Sequence, residues 1–170
     1  KSTNYALRAN MTRDEFIKEV TDGLELVPPP YYFPKNVMMN KSGAQDVDTI
    51  KSHVQALSAD AFEAAANETG AIVIDTRNQQ IFKNGFIPNS IFIGIKGDFA
   101  PWVGTLITDI EQPILLVVED DMRDEVITRL SRVGYDNVIG YLEGSFETWV
   151  KAGKEIETIE SIPATEFAEI

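Results

Sequence analysis

One short loop holds most of the side chains that could carry out chemistry in this chain of 170 residues. Between Glu119 and Glu125 there are five carboxylates and one arginine. A carboxylate pair such as Asp120 and Asp121 can act in general acid–base catalysis, whereas exposed acidic pairs usually contact only solvent. The chain contains no cysteine. This absence removes disulfides, thiolate metal sites and any thiolate nucleophile.

The formal net charge is −12, and most of it lies in the second part of the chain. Residues 1–50 carry six Lys or Arg against seven Asp or Glu, whereas residues 51–170 carry nine against twenty. Nucleic acid requires clustered basic residues, so we expect no nucleic-acid partner, and an anionic membrane surface is disfavoured for the same reason. No apolar run approaches the roughly 18–20 residues of a membrane span. The lack of cysteine fits a reducing cytoplasm, which is where we expect the protein.

The first 46 residues predict one helix followed by an irregular stretch. Thr12 and Glu15 match a capping box, and apolar residues recur at helical spacing over 16–24. Gly23 predicts a left-handed cap at the end of this helix. Prolines at 28–30 then impose an extended path, and we expect the aromatic residues after them to pack on another surface.

The rest of the chain alternates helix and strand. Ser58 predicts the start of a helix that ends at Gly70, and a second amphipathic helix follows the acidic loop with Val126 and Leu130 on its apolar face. Apolar runs typical of buried parallel strands occur at 71–74, 91–95, 114–118 and 138–142. Strand, helix and strand at this spacing predict an α/β fold, with helices on both faces of a parallel sheet.

Four short motifs follow one another in this region. They are Val73–Arg77 with Asp75 and Arg77, Gly85–Ser90 with Gly85 and Pro88, Gly134–Val138 with Gly134, and Leu142–Phe146 with Gly144, followed by Trp149. With these motifs in this order, residues 57–153 resemble rhodanese-homology domains, with Phe86 in place of that family's usual histidine. The resemblance implies a rhodanese-like parallel sheet with an N-terminal helical and proline-rich extension. It also implies that Asp75 and Arg77 support the fold, although the pair superficially suggests an aspartyl nucleophile with a helper.

The resemblance also assigns a position to the acidic loop. In rhodanese-homology domains the equivalent loop holds a cysteine, and backbone N–H groups at the next helix N-terminus surround its sulfur. The equivalent residues here are Glu119, Asp120, Asp121, Met122, Arg123 and Asp124. None is cysteine, so the resemblance implies an inactive loop with no catalytic residue. We hypothesise that Asp120 or Asp121 caps the helix and places a carboxylate where the family's anion would lie; an ordinary N-cap is the alternative.

The first 45 residues resemble a different family. Residues 3–8, the helix around 15–17 and the stretch 29–36 look like the trailing segment of metallo-β-lactamase-fold proteins fused to rhodanese domains. That likeness implies a preceding domain that holds iron or zinc and catalyses persulfide dioxygenation or thioester-like hydrolysis. We expect no metal in this segment, because such a site needs two or more histidines and His53 is the only one.

A short repeat suggests a further boundary. Leu57–Phe62 and Ile162–Phe167 share an apolar–x–Ala–x–x–Phe pattern at an offset of 105 positions, which is about one α/β domain. We therefore expect residues 1–45 to end a metallo-β-lactamase-like domain and 46–157 to form the rhodanese-like domain. Residues 158–170 would then be a linker and the start of a second rhodanese-like repeat.

These expectations favour a non-catalytic structural or docking module of a larger sulfur-metabolism metallo-hydrolase or persulfide dioxygenase. Its partners would be the adjacent domains of that parent chain, with a homodimer as an option. In the alternative, residues 28–36 contribute to the neighbouring metal domain's active site or to a dimer interface. A stand-alone acidic ligand-binding domain is a third option. We interpret Trp102 as buried packing, with a docking surface as the other interpretation.

Overall fold

The computed structural model describes residues 11–23 and 33–167. The described helices are α1 (Arg13–Thr21), α2 (Phe33–Ser42), α3 (Val47–His53), α4 (Ala59–Thr69), α5 (Gln79–Phe82), α6 (Phe99–Leu106), α7 (Arg123–Arg132), α8 (Ser145–Lys151) and α9 (Ala164–Phe167). The described strands are β1 (Gln55–Leu57), β2 (Ile72–Asp75), β3 (Ile91–Phe92), β4 (Ile114–Val117) and β5 (Val138–Leu142).

Several helices begin where a side chain can accept from their first N–H groups. Thr12 and Glu15 form the predicted capping box at the start of α1. The Ser58 hydroxyl accepts from the backbone N–H of Ala61 at 3.3 Å, which confirms the predicted start of α4. Gly70 ends α4 in the left-handed conformation at φ 66°, also as predicted.

The strands form one parallel sheet in the order β1-β5-β4-β2-β3. Central strand β4 is buried along its whole length, because it has neighbours on both sides and helices over both faces. This arrangement confirms the predicted α/β fold with a parallel sheet flanked by helices.

Successive side chains of β4 point to opposite faces of the sheet, and the core accordingly has two layers. Ile114 and Leu116 face a cluster that includes Phe99 of α6 and Leu130 of α7. Their neighbours Leu115 and Val117 face the opposite cluster, which includes Phe62 of α4 and Trp149 of α8. One strand therefore anchors both helical layers, as the period of two in a strand requires.

The structure differs from the sequence prediction in three places. The expectation of an irregular stretch before residue 46 was wrong over Phe33–Ser42, which is α2; a proline such as Pro34 is tolerated in the first turn of a helix. Strand β1 was not predicted, because it exists through its pairing with β5. The apolar run at 91–95 contributes only Ile91–Phe92 as strand. Residues 3–8 and the prolines at 28–30 lie outside the described residues.

Candidate functional site

The acidic loop leaves the carboxyl end of β4 and leads into α7. Val118 is buried, whereas Glu119, Asp120 and Asp121 are exposed. The backbone N–H of Met122 donates to the carbonyl of Glu119 at 2.9 Å, which closes a turn before the helix.

The hypothesis that Asp120 or Asp121 caps α7 was wrong. Met122 occupies the N-cap position with helical backbone angles, φ −103° and ψ −8°, and no side chain makes a cap hydrogen bond there. A capping carboxylate must come from the residue directly before the first helical residue, and Asp120 and Asp121 are too early in the chain. The alternative, an ordinary N-cap by one of these carboxylates, was also wrong, because no side chain makes a cap hydrogen bond at the start of α7.

Arg123, the one cation of the loop, is turned toward β5. Its Nη1 donates to the hydroxyl of Tyr141 at 2.9 Å, and its Nε donates to the carboxylate of Asp124 at 3.2 Å. These interactions, first with Asp124 and then with Tyr141, raise the pKa of the Arg123 guanidinium. The guanidinium therefore does not stand free to hold an anion above the loop.

Asp75 and Arg77 form a buried clamp where β2 ends. The guanidinium contacts both carboxylate oxygens, with Nη2 at 2.6 Å from Oδ2 and Nε at 2.9 Å from Oδ1. It also donates to the carbonyl of Gly85 at 2.8 Å and lies 4.2 Å from the centre of the Phe146 ring. Burial raises the pKa of the Asp75 carboxyl, and the Arg77 hydrogen bonds partly oppose that shift. Both partners are fully engaged inside the protein, which is the geometry of a structural clamp rather than of a nucleophile.

Other motif residues serve close packing. A Cβ on Gly85 would lie 3.0 Å from the Phe146 ring. Phe86, which replaces the family's usual histidine, stacks on Phe82 with ring centres 4.4 Å apart. The indole N–H of Trp149 donates to the carbonyl of Glu155 at 2.8 Å.

Three further motif residues lie at turns. Gly134 and Gly144 adopt the left-handed φ values of 83° and 68°, and Pro88 is half-buried in the turn before β3.

A groove of about 960 Å³ opens at the carboxyl ends of β2, β3 and β4. We call it the carboxyl-edge groove; its lining includes Ile81, Lys96, Asp98, Trp102, Leu106 and Glu119. The groove lies at the point where the order of strands in the sheet changes direction. Strand β3 pairs with one side of β2, and the next strand in the chain, β4, pairs with the other side. Crevices at such switch points are the usual ligand sites of open α/β sheets.

The groove corrects one prediction and adds residues that the sequence analysis missed. Trp102 is 56% exposed, so its interpretation as buried packing was wrong, although Phe99 of the same helix is buried. Leu106 and Ile81 were not singled out. The four-residue spacing of Trp102 and Leu106 was the available signal, since it places both on one face of a helix.

The described residues contain no grouped metal ligands. Within residues 11–23 and 33–167, no three His, Cys, Asp or Glu side chains are clustered as a metal ion would require. His53 is exposed in the last turn of α3. None of the helices that the structure describes combines the length and apolarity needed to cross a bilayer.

Three comparisons place these features among known proteins. No curated protein sequence matches the chain. A solved metallo-β-lactamase from Staphylococcus aureus is similar in structure, with 21% identity and a TM-score of 0.55; the match covers 84% of this chain and 38% of that chain. A rhodanese-like domain from Anabaena is similar with 17% identity and a TM-score of 0.52; the match covers 64% of this chain and 84% of that chain. The polysulfide-sulfur transferase homodimer of Wolinella succinogenes is similar with 19% identity and a TM-score of 0.51; the match covers 73% of this chain and 89% of that chain.

At these identities the structural matches establish the fold alone. The sequence profile of the rhodanese-like domain matches residues 58–152, which is more than half of the chain. That match spans the Asp75–Arg77 clamp, the acidic loop and the turn at Gly144. The chain therefore belongs to the rhodanese-like domain family.

Proposed function

We propose that this chain is a non-catalytic rhodanese-like module of a larger sulfur-metabolism protein, in which it spaces and docks neighbouring domains. The observation that carries the proposal is the lack of cysteine in the loop after β4 and in the whole chain. Sulfur transfer requires a thiolate as nucleophile and carrier. No other side chain in the sequence can store a transferable sulfur atom.

The charge around the loop supports the same proposal. Glu119, Asp120 and Asp121 are exposed beside the groove, and Arg123 is held by Tyr141 and Asp124. Residues 51–170 carry nine basic against twenty acidic side chains. Thiosulfate and persulfide are anions, so this field repels them from the position that a sulfurtransferase would use.

The parent chain that we propose has a preceding metallo-β-lactamase-fold domain. The similarity to the Staphylococcus aureus metallo-β-lactamase supports this. That structural match covers 84% of the chain, which is a larger part than residues 58–152, where the rhodanese-like family model matches. Iron or zinc would be held by that neighbouring domain, since this chain supplies a single histidine. We place the assembly in the cytoplasm, where a chain without disulfides is expected.

A second rhodanese-like repeat after residue 158 is also part of the proposal. Helix α9 begins at Ala164, and α4 begins at Ala59, so the two helices start at the same 105-residue offset as the sequence repeat. The backbone N–H of Phe167 donates to the carbonyl of Pro163, as that of Phe62 donates to the carbonyl of Ser58. These shared positions support two copies of one pattern.

Cyanide-dependent thiocyanate formation from thiosulfate tests the proposal. The purified chain should form no thiocyanate above a blank. Glu119→Cys and Asp121→Cys introduce a cysteine at two positions of the loop that is equivalent to the family's cysteine loop. Both variants should remain inactive, because the surrounding carboxylates still repel anions and Arg123 is still bound by Tyr141 and Asp124. Turnover by the unmodified chain, after a contaminating enzyme has been excluded by mass spectrometry, would refute the proposal.

A second candidate is a contribution to the neighbouring metal domain. The exposed apolar face of α2 favours it, because Val37 and Met38 are 40% and 69% exposed. Deleting residues 28–32 and changing Met38→Ser in the intact parent protein would separate the two functions. Lower turnover or a smaller oligomer would support the contribution of this segment, whereas unchanged values would dismiss it.

A further inference from the structure

The carboxyl-edge groove has an apolar wall that no described residue covers. Ile81, Trp102 and Leu106 are 43%, 56% and 47% exposed and all line it. Trp102 and Leu106 are one turn apart on α6, whose other face buries Phe99 and Val103 in the core. Helix α6 is therefore anchored on one side and presents a large apolar face on the other.

Backbone hydrogen bonds hold the groove in shape. The N–H groups of Ile93 and Ile95 donate to the carbonyls of Asp75 and Thr76, at 2.9 and 3.1 Å. The carbonyl of Ile95 in turn accepts from Arg129 of α7 at 3.0 Å. The loop after β3 is thus fixed to both β2 and α7, and a ligand would meet a preformed surface that costs little entropy to order.

The rim of the groove carries more negative than positive charge, with Asp98 and Glu119 against Lys96. Asp98 is the N-cap residue of α6, but its side chain makes no cap hydrogen bond. Within the described residues, neither Asp98 nor Glu119 forms an ion pair or a side-chain hydrogen bond, and Asp120 and Asp121 follow Glu119 directly. Lys96 is a positively charged residue of the rim, whereas the charge of Arg77 is neutralised by its ion pair with Asp75.

We infer that the carboxyl-edge groove binds a basic segment of a partner protein, in which Lys or Arg residues flank one or two large apolar side chains. The apolar side chains would fill the wall formed by Trp102, Leu106 and Ile81, and the basic residues would face Asp98 and Glu119. Aromatic residues at the centre of an interface commonly supply most of its affinity, and rim charges supply association rate and specificity. A second copy of the chain is a poor occupant, because each copy has a formal net charge of −12. This inference specifies the partner of the proposed docking module and rests on that function.

Binding can be observed at a single atom. The chain has two tryptophans, and the indole N–H of Trp149 is held by Glu155 inside the fold. In ¹⁵N-labelled protein we expect a synthetic peptide of Leu-Leu-Phe flanked by three lysines on each side to shift the Trp102 indole signal and leave the Trp149 signal in place. A peptide with glutamates in place of the lysines should shift neither signal. Trp102→Phe assigns the two signals.

Variants then test the groove itself by fluorescence anisotropy of the labelled basic peptide. Trp102→Ala or Leu106→Ala should weaken binding at least about tenfold. Val150→Ala is the matched control, because Val150 is as exposed as Leu106 and lies on α8; it should change affinity less than about twofold. Asp98→Asn with Glu119→Gln should weaken binding and flatten its salt dependence. An unchanged Trp149 signal verifies that each variant is folded.

Four results would overturn the inference. They are the absence of peptide binding at low salt, equal binding of the acidic peptide, loss of affinity in Val150→Ala as large as in Leu106→Ala, and a Trp102 shift produced by raising the protein concentration alone. The last result would assign the groove to a second copy of the chain. Thiocyanate formation would refute the proposed function and leave peptide binding unaffected, so the two failures are distinguishable.

Discussion

Arg77 holds Asp75 through three side-chain hydrogen bonds between 2.6 and 3.0 Å, in a site where neither side chain is more than 3% exposed. Removing one partner of such a pair leaves a buried charge without compensation, which costs about 3–5 kcal/mol. We therefore expect Arg77→Met, which leaves the buried Asp75 carboxylate without its partner, to lower the free energy of unfolding by several kcal/mol in urea titrations at neutral pH. The half-exposed pair of Arg129 and Glu125 is the control, and Glu125→Gln should cost less than about 1 kcal/mol. Equal losses at the two sites would contradict the structural role of the clamp.

The same carboxyl gives a pH dependence of defined sign. Burial raises the pKa of Asp75 in the folded chain above its ordinary value of 3.8. The folded state then binds the proton more tightly than the unfolded state, so the stability that Asp75 contributes falls as pH rises through its folded pKa. Urea titrations at a series of pH values above 3.8 should show the free energy of unfolding of the unmodified chain, relative to that of Asp75→Asn, falling as pH rises. A relative stability that grows with pH would mean that Arg77 outweighs burial and lowers the pKa.

Ser145 occupies a backbone position that favours glycine. Its φ is 58°, and its hydroxyl is buried without a hydrogen-bond partner among the described residues. Ser145→Gly should raise the free energy of unfolding by about 1 kcal/mol, because it relieves both the strain and the unpaired hydroxyl. Ser145→Ala isolates the hydroxyl, since alanine keeps the strain. The prediction fails if the glycine variant is no more stable than the alanine variant.

Gly134 reports whether α2 packs on the rhodanese-like fold. Its φ is 83°, and an added Cβ would lie 2.7 Å from the Asn36 side-chain oxygen and 3.1 Å from Ile110. Gly70 has a similar φ of 66° but nothing within 4 Å. Gly70→Ala should therefore show the backbone strain alone, about 1 kcal/mol, and Gly134→Ala should cost more by thermal or urea unfolding. If truncation of Asn36 to alanine does not reduce that excess, the contact with α2 is not its source.

Features set by short stretches of sequence were predictable. Thr12 and Ser58 each act on a neighbour three residues away, and Gly70 acts through its own backbone angles, so their roles as caps follow from local pattern. The apolar run at Ile114–Val117 indicated a buried strand for the same reason. These elements also fixed the fold class, because strand and helix alternate along the chain.

Features that depend on distant partners were not predictable. Strand β1 has an exposed, polar start and forms only by pairing with β5. The orientation of Arg123 depends on Tyr141, eighteen positions away in the chain. Trp102 has the composition of a core residue, and its exposure follows from which face of α6 meets the sheet. In each case tertiary contacts decide between alternatives that the local pattern leaves open.

Outer strands β1 and β3 have three and two residues, so each edge of the sheet offers few unpaired amide and carbonyl groups. Long open edges are templates on which other chains can add strands and aggregate. Copies of this fold placed one after another in a polypeptide would consequently have little opportunity to exchange strands while they fold. Such modules can be joined in series, and kept at high local concentration, without forming mixed sheets.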